Sequence, residues 1–250
     1  YKDLFYFLVW KDIKARYAQS VLGIGWAVIQ PLFSMIIFTI VFGSLAKIDS
    51  NGVPYAIFSF TALVPWTYFS GSLSASSGSL LSASNMITKV YFPRLIIPLV
   101  PIISKLVDFF ITLILLACMM VFYGFSPNME IFFLPFLIFL MMLTASGLGM
   151  WFTALSIQYR DINHGMGFFV QLLMYAAPVV YSTSNIPDSY RTIYGLFPMA
   201  GVIEGFRAIL LHTFIIPWDI ILSGTITSII LFITGLFYFR RMEKYFADVA

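Results

Sequence analysis

Long apolar runs separated by short polar segments dominate this sequence. Six of the runs approach or exceed the roughly 20 residues that an α-helix needs to cross a bilayer, and none shows the alternation of a β-strand. They cover residues 26–45, 55–73, 95–123, 131–157, 166–181 and 215–239. The pattern predicts an all-α integral membrane protein, with a six-helix transmembrane domain over residues 23–250 and a separate N-terminal segment over residues 1–22.

The N-terminal segment has the pattern of an amphipathic helix. Tyr6, Trp10, Ile13 and Tyr17 recur at spacings of four, three and four, which places them on one helical face. Basic residues such as Arg16 lie elsewhere around the helix, and this combination is typical of a helix lying among lipid headgroups. The alternative interpretation is that the aromatic stripe packs on the protein itself.

The positive charges are unevenly distributed between the connecting segments, and this bias predicts the orientation. With the N-terminus in the cytoplasm, eleven basic residues fall on the inner side and three on the outer side. The inner residues are Lys2, Lys11, Lys14, Arg16, Lys89, Arg94, Lys105, Arg160, Arg240, Arg241 and Lys244. The outer residues are Lys47, Arg191 and Arg207, so both termini are predicted to be cytoplasmic.

Residues 81–98 form a short, mostly polar and basic segment between the second and third runs. Asn85 is suited to capping a helical turn, and Pro93 should end that turn before it. Lys89 and Arg94 add positive charge on the predicted cytoplasmic side. We interpret this segment as a short helix that receives movement from a partner protein; an ordinary cytoplasmic connector is the alternative.

Small residues recur at every fourth position in two places, namely Gly71, Ala75, Ser79 and Ala83, and Ala145, Gly149 and Thr153. Such ridges allow helices in lipid to approach closely, so both are predicted to be packing faces.

The long segment between the fifth and sixth runs, residues 183–215, is predicted to be a re-entrant or surface-lying helical hairpin on the outer side. Its second half is apolar but too short to span a bilayer. Glu204 and Arg207, three positions apart, are expected to pair on its polar side. Lys105 and Asp108 have the same spacing in the third run, where an ion pair and a lysine that snorkels to the inner surface are both possible.

Composition agrees with a membrane protein and excludes several functions. Hydrophobic residues make up 60% of the chain and charged residues 10%, and the mean hydropathy is +0.94. A net charge of +3 argues against a nucleic-acid partner, and the single Cys118 rules out an intrachain disulfide. No Gly is followed by Lys, so a phosphate-binding loop of the G-x-x-x-x-G-K-[ST] type is absent from the sequence.

Metal and hydrolase sites are also disfavoured. His164 and His212 fall on opposite predicted sides of the membrane, without a carboxylate cluster beside them. A serine hydrolase would have to pair Ser146 with His164, but Ser146 lies within a packing ridge and His164 in a cytoplasmic connection. A secondary transporter would show repeated halves, which the sequence lacks.

Several stretches resemble the permease subunits of ABC transporters that export polysaccharides, most closely those for O-antigen, with teichoic-acid and capsule relatives nearby. They are FLVWKDIKARYAQSVLGIGWAVIQPLFSMIIFTIVFG, ITKVYFPRLIIP, QYRDI and FPMAGVIEGFRAILL, and the similarity extends over essentially the whole chain. One departure is Phe197, which stands where the family usually has Asn before the Pro–Met of the outer hairpin.

The resemblance implies a homodimeric permease in the bacterial inner membrane that works with two ATPase subunits. The ATPases would bind ATP and Mg²⁺, and this chain would carry no cofactor. The cargo would be a glycan on a polyprenyl-diphosphate lipid, and drug, lipid or teichoic-acid export is the alternative. The ATPases would contact the N-terminal helix and the 81–98 segment; the residues selected there are Tyr6, Trp10, Arg16, Asn85, Lys89, Tyr91 and Arg94. Glu204 and Arg207 are selected as an outer gate.

A glycan path should be rich in aromatic rings, because sugars have apolar C–H faces that stack on rings without requiring one particular sugar. The residues selected for it are Trp26, Tyr68, Phe69, Phe168, Gln171, Tyr175 and Tyr181. Phe168, Gln171 and Tyr175 share a helical face, and a glutamine in an apolar helix is costly unless it faces a partner or water. Anchoring at the headgroup level is the alternative role for any one of these rings. A channel would need a ring of charges or a filter-like loop, and neither is present in the sequence.

Overall fold

The computed structural model describes residues 1–18, 23–87, 92–126, 128–159, 161–212 and 215–243. Within these residues the chain is 83% helical and contains no strand. The helices are α1 (Lys2–Tyr17), α2 (Gly25–Phe38), α3 (Tyr55–Ser77), α4 (Ser79–Ser82), α5 (Ser84–Ile87), α6 (Ile96–Ser104), α7 (Leu106–Tyr123), α8 (Leu134–Gln158), α9 (Asp161–Ala176), α10 (Asp188–Gly195), α11 (Pro198–Leu211) and α12 (Trp218–Met242). A π-helical stretch, Thr39–Leu45, continues α2, and short 3₁₀ turns cover Met129–Phe133 and Thr183–Asn185.

Four helical stretches in the described part of the chain are long and apolar enough to cross a membrane. They are Gly25–Leu45, Ile96–Tyr123, Met129–Gln158 and Trp218–Met242. The second and fifth predicted spans are not among them. Helix α3 has 23 residues, but its serine, threonine and tyrosine residues lower its hydropathy, and α9 has only 16 residues. The all-helical class is confirmed, and the count of six spans stays a prediction.

Helix α3 is the central helix of the bundle. It packs against α2, α6, α7, α8, α9 and α11, and most of its residues are buried. Several of its hydroxyl groups donate to carbonyls of the same helix, as Thr61 does to the Ile57 carbonyl at 2.8 Å. Others donate to neighbouring helices, as Tyr68 does to the Ile102 carbonyl at 2.9 Å. A helix buried among other helices needs less apolar surface than one facing lipid, which accounts for its low hydropathy.

The third predicted span is one apolar stretch but two helices. Helix α6 ends at Ser104, α7 begins at Leu106, and Lys105 lies between them. The backbone hydrogen bonds continue across this junction, because the Lys105 amide donates to the Pro101 carbonyl at 3.0 Å and the Lys105 carbonyl accepts from the Phe109 amide at 3.1 Å. The Ser104 hydroxyl also donates to the Pro101 carbonyl at 3.1 Å. We call this junction, with Lys105 as the single residue between the two helices, the α6–α7 bend.

The two small-residue ridges have different roles. At the α8 ridge the backbones come so close that a Cβ atom on Gly149 would lie 2.6 Å from the Ser76 Oγ, which confirms a packing face. The α3 ridge does not pack against α8. Ala75 of α3, Ser79 of α4 and Ala83 after α4 instead line a cleft beneath α1. The face of α3 toward α8 carries Ser76 and Ser77.

Two hydroxyl groups of α8 join it to the last turn of α3. Thr153 Oγ1 lies 2.7 Å from the Ser76 carbonyl and 2.6 Å from the Gly149 carbonyl of its own helix. Ser156 Oγ lies 2.8 Å from the Ser77 carbonyl and 2.9 Å from the Thr153 carbonyl. Each hydroxyl therefore has one acceptor on the partner helix and one on its own.

Candidate functional site

Polar contacts group the connecting segments at two ends of the bundle. At one end, Arg94 Nη1 donates to the Glu243 carbonyl at 2.8 Å, which ties the 81–98 segment to the end of α12. At the other, Asn51 Nδ2 donates to Ser184 Oγ at 3.5 Å, and the His212 ring contacts the Ser126 carbonyl at 2.6 Å. These pairs join segments that the charge bias assigns to the same side, and the orientation of the two ends stays a prediction.

At the first end, a cluster of charged side chains fixes α1 to the bend between α6 and α7. Arg16 bridges Asp12 at 2.7 Å on its own helix and Asp108 at 3.0 Å on α7, and it also donates to Ser104 Oγ at 2.9 Å. Asp108 accepts as well from Lys105 Nζ, at 3.1 Å, and from the Tyr17 hydroxyl. Two cations and two carboxylates therefore meet at the point where the third predicted span bends.

The environment of this cluster is partly shielded from solvent. The Arg16 and Asp108 side chains are each 21% exposed, so their pairing is screened less than that of a surface ion pair. Burial, followed by the hydrogen bond to Asp108, raises the pKa of Tyr17 to about 12. Tyr17 therefore remains a neutral hydrogen-bond donor throughout the physiological range.

Helix α1 is divided between a face on the protein and a face directed outward. Leu8 is buried and lines the cleft between α1, α3 and α6. Tyr6 and Trp10 are exposed, and Lys14 Nζ lies 5.5 Å from the centre of the Trp10 ring. Tyr6 and Trp10 therefore face outward, whereas Tyr17 at the end of the stripe packs on the protein. The position of α1 among lipid headgroups stays a prediction.

The bend also borders a small cavity between α2, α3 and α7. Its volume is about 210 Å³. Trp26 stands at its exposed side, Tyr68 lies behind, and Lys105 and Asp108 close it toward α1. Two of the aromatic residues selected from the sequence for a glycan path therefore line the same space as the charged cluster.

The 81–98 segment includes the end of the four-residue helix α4, all of the four-residue helix α5 and the start of α6. Asn85 is the second residue of α5, so the helix begins before it and Asn85 is not the predicted cap; its side chain lies outside the described part of the structure. The backbone is non-helical at Phe92 and Pro93, as predicted. Lys89 and Tyr91 lie outside the described residues.

At the opposite end of the bundle, Glu204 and Arg207 of α11 form the predicted ion pair, at 2.8 Å. The expectation that they lie on a polar side of the hairpin is wrong. Arg207 is completely buried and Glu204 is 3% exposed, because α11 packs into the bundle between α3, α8 and α12.

The buried guanidinium is satisfied by backbone carbonyls. Arg207 donates to the carbonyls of Val179 and Tyr181 at 2.8 and 2.9 Å, and its central carbon lies 3.7 Å from the centre of the Phe58 ring. Glu204 in turn accepts from the Thr183 amide at 3.3 Å. The pair thereby attaches the turn after α9 to α11 and α3, and its role as an outer gate stays a prediction.

The start of α11 forms without the residue that is usual in the family. Phe197 precedes α11 in an extended conformation with no side-chain cap, and Pro198 occupies the first turn. The Ala200 amide donates to the Phe197 carbonyl at 2.9 Å. The departure at Phe197 therefore leaves the local turn intact.

The remaining aromatic residues selected for a glycan path lie in two environments. Phe168, Gln171 and Tyr175 are all exposed on one face of α9. Phe69 is fully buried and Tyr68 is 3% exposed, with its hydroxyl donating to the Ile102 carbonyl. Phe69 therefore belongs to the core of this chain and does not line an open path. Tyr181 is half-buried, and its hydroxyl contacts that of Tyr194 at 3.1 Å.

Helix α9 is attached by polar contacts at both of its ends. Near its start, Asn163 Oδ1 accepts from Ser77 Oγ at 3.0 Å. Beyond its end, the Arg207 contacts hold the turn at residues 177–183. Its exposed aromatic face is therefore presented from a helix with fixed ends.

Sequence reasoning missed most of the cluster at the α6–α7 bend. The pairing of Lys105 with Asp108 is found, but Asp12, Tyr17 and Ser104 were not selected. Of these three residues, only Asp12 has a local signal in the sequence, which is its spacing of four positions from Arg16. The longer connections join positions about 90 residues apart.

The described part of the chain has no group of three or more possible metal ligands. Ser146, the serine considered for a hydrolase, donates to the Met142 carbonyl of its own helix at 2.7 Å, and His164 lies on α9. Neither residue forms part of the polar clusters at the two ends.

Comparison with known proteins gives a consistent result. A family model described as "ABC-2 type transporter" matches residues 3–211. An O-antigen export system permease protein of Klebsiella pneumoniae is 27% identical over 248 residues, which is 99% of this chain and 95% of the relative. A protein of the same name from Myxococcus xanthus is 25% identical over 250 residues, with the same coverage. A capsule polysaccharide export inner-membrane protein of Haemophilus influenzae is 21% identical over 245 residues, covering 95% of this chain and 90% of the relative.

Proposed function

The chain belongs to the ABC-2 type transporter family, and on that premise we propose that it is the membrane subunit of an ATP-driven exporter of a lipid-linked polysaccharide. The observation that carries the proposal is the near full-length similarity to two O-antigen export permeases. The cargo is a glycan on a polyprenyl diphosphate, moved from the inner leaflet to the outer face of the bacterial inner membrane.

The proposed topology has six spans, with both termini in the cytoplasm. Helix α3 is the second span, where its burial among neighbours offsets its lower hydropathy. Helix α9 with the turn after it is the fifth. Helix α11, at about 21 Å, is too short for a hydrocarbon core of about 30 Å, so α10 and α11 form a re-entrant hairpin on the outer side. The grouping of the connecting segments at two ends supports this arrangement.

The energy source is a partner protein, because the chain has no phosphate-binding loop. We propose that two copies of this chain form a homodimer and assemble with two ATPase subunits, which bind ATP and Mg²⁺. Two surfaces contact the ATPases. One is helix α1, which exposes Tyr6 and Trp10 and is bound through Arg16 to the α6–α7 bend. The other is the 81–98 segment, which is hydrogen-bonded to the end of α12. A push on either surface would reach the membrane helices through ion pairs and hydrogen bonds.

Capsule export is a second candidate cargo, which the similarity to the Haemophilus influenzae protein favours at lower identity. Removing this chain from its producing cell tests the proposal and distinguishes the cargoes. We expect a lipid-linked glycan to accumulate inside the cell and its surface form to disappear. Co-purification of an ATPase with the chain supports an exporter, whereas an uncoupled pore would purify alone. Unchanged surface glycan would overturn the proposal.

A further inference from the structure

The cavity between α2, α3 and α7 brings together residues that the proposed coupling and packing roles do not explain. Its volume is about 210 Å³, and it lies beside the bend at Lys105. Both aromatic rings and polar side chains line it. Among the residues that line the cavity are Trp26, Gln30, Tyr68, Lys105, Asp108 and Thr112.

We propose that this cavity binds one sugar residue of the exported glycan, within a single protomer and at the end of the bundle that carries α1. The inference rests on the proposed function, because a glycan must be the cargo. It adds to that function a defined site that uses Gln30 and the charged bend as well as aromatic rings.

The aromatic part of the site suits the apolar face of a sugar ring. Trp26 is 53% exposed, so much of its surface is accessible from outside the protomer. Tyr68 is 3% exposed and supports the inner wall. A ring with accessible area and few internal rotations provides contact at a low cost in conformational entropy.

The polar part offers both donors and acceptors, as a polyol requires. The Gln30 amide can donate and accept, and it has no hydrogen bond to the described residues. Lys105 has three N–H groups, one of which bonds to Asp108 at 3.1 Å. The hydroxyls of Thr112 and Tyr68 donate to the carbonyls of Phe109 and Ile102, so their oxygens retain acceptor capacity.

The balance of charge favours a neutral ligand over a phosphate. Lys105 and Arg16 are matched by Asp108 and Asp12 within one connected cluster, so the site has no net positive charge. An anion placed here would also face the Asp108 carboxylate, which lines the cavity, and like charges repel strongly in a partly desolvated site.

A binding experiment tests the site directly. The full chain is placed in lipid nanodiscs, and its tryptophan emission is followed during addition of the producing cell's glycan, freed from its lipid by mild acid. Sodium pyrophosphate is added in a parallel arm. We expect the glycan to change the emission of the wild type but not of Trp26→Phe, and we expect Gln30→Leu to weaken binding about tenfold. Lys105 and Asp108 are left intact because they hold α1.

The other outcomes overturn the proposal. A response to pyrophosphate without one to the glycan would identify an anion site. An equal glycan response in Trp26→Phe would place the sugar beside a different tryptophan, and no glycan response would leave the cavity without this role.

A cellular experiment separates failure of this site from failure of the proposed function. Deleting the protein tests the function, while Trp26→Ala and Gln30→Leu test the site in the same cells. Phe33→Ala is the matched control, because Phe33 is 62% exposed on α2 and is not part of the cavity. We expect the two site variants to slow export at normal protein level and normal ATPase assembly, and the control to export like the wild type. If deletion abolishes export but both site variants export normally, the sugar site is overturned and the proposed function stands. If export is unchanged after deletion, both the sugar site and the proposed function are overturned.

Discussion

Arg16 and Asp108 form an ion pair of 3.0 Å although 92 positions separate them in the chain. The pair connects the helix that lies beside the bundle to the first turn of a membrane helix, at the point where the preceding helix ends. Both side chains are only about a fifth exposed, so the contact is part of the internal structure of the protein.

Replacing Arg16 with Leu should loosen α1. The change removes the contacts to Asp108, Asp12 and Ser104, and hydrogen bonds to charged groups contribute about 1.5–3 kcal/mol each in favourable cases. We expect the backbone amides of residues 2–17 to exchange with deuterium about tenfold faster, as measured by mass spectrometry. Lys14→Leu, which removes a cation whose described contact is the Trp10 ring, is the control; equal exchange in the two variants would contradict the role of the pair.

Breaking the Glu204–Arg207 pair from one side should destabilise the protein strongly. Arg207→Met leaves a buried carboxylate unpaired, at a cost of about 3–5 kcal/mol, whereas Glu204→Gln combined with Arg207→Met removes both charges and should recover part of it. Thermal unfolding in detergent measures the difference. Asp219→Asn breaks the exposed pair with Arg191 and should cost less than about 1 kcal/mol. A double variant no more stable than Arg207→Met alone would refute the argument.

The predicted topology can be tested by labelling. Single cysteines replacing Asn51, Asn128 or Asp188, in a Cys118→Ser background, should react from outside the cell only, because the charge bias places these segments there. Cysteines at positions 89 and 160 should react only after the membrane is opened. Labelling of position 188 from the cytoplasmic side would rule out the six-span arrangement.

Reversing the charges of the 81–98 segment should disturb coupling. With its ATPase partner, Lys89→Glu combined with Arg94→Glu should prevent assembly or separate ATP hydrolysis from glycan export. Because Arg94 also donates to the Glu243 carbonyl, Arg94→Gln alone measures the loss of that contact. Hydrolysis and export are assayed on the same preparation, and normal coupling in the double variant would exclude a transmitting role for these two charges.

The aromatic face of α9 should affect transport more than stability. Phe168→Ala with Tyr175→Ala removes two rings that are 68% and 58% exposed, so little packing within the protomer is lost. If these rings line the glycan path, export should slow while protein level and ATPase assembly stay normal. Phe139→Ala with Phe237→Ala, on α8 and α12, removes rings of similar exposure elsewhere. Equal effects of the two pairs, or loss of the protein itself, would assign the α9 rings to packing.

The sequence alone predicted features that depend on local spacing. The helical class, the Glu204–Arg207 pair and the close packing at Gly149 follow from repeats of three or four positions or from apolar runs. The Lys105–Asp108 pair has the same spacing, but the sequence left it open beside a lysine that snorkels to the inner surface. The burial of Arg207 did not follow, because its cation–π partner Phe58 lies on a different helix and its carbonyl acceptors lie in a turn.

The site was predicted less completely than the fold for the same reason. Trp26 and Tyr68 were selected as aromatic residues, but their joint presence in one cavity depends on how α2, α3 and α7 pack. Phe69, next to Tyr68 in sequence, faces the core because neighbouring positions on a helix point in different directions. The close approach of Gly235 to Gly147, where a Cβ atom added to Gly235 would collide with the Gly147 carbonyl oxygen, likewise joins distant segments.

Thr153 and Ser156 each have one hydrogen and two carbonyls within reach, one on α3 and one on α8. If α3 shifts along α8 or moves away from it, each hydroxyl turns back to its own helix and remains bonded. A hydrogen-bond donor without an acceptor in a membrane interior costs several kcal/mol. The two hydroxyl groups avoid that cost whether α3 stays in contact with α8 or moves away from it. A small shift between the central helix and α8 would therefore leave neither of these two hydroxyl groups without an acceptor.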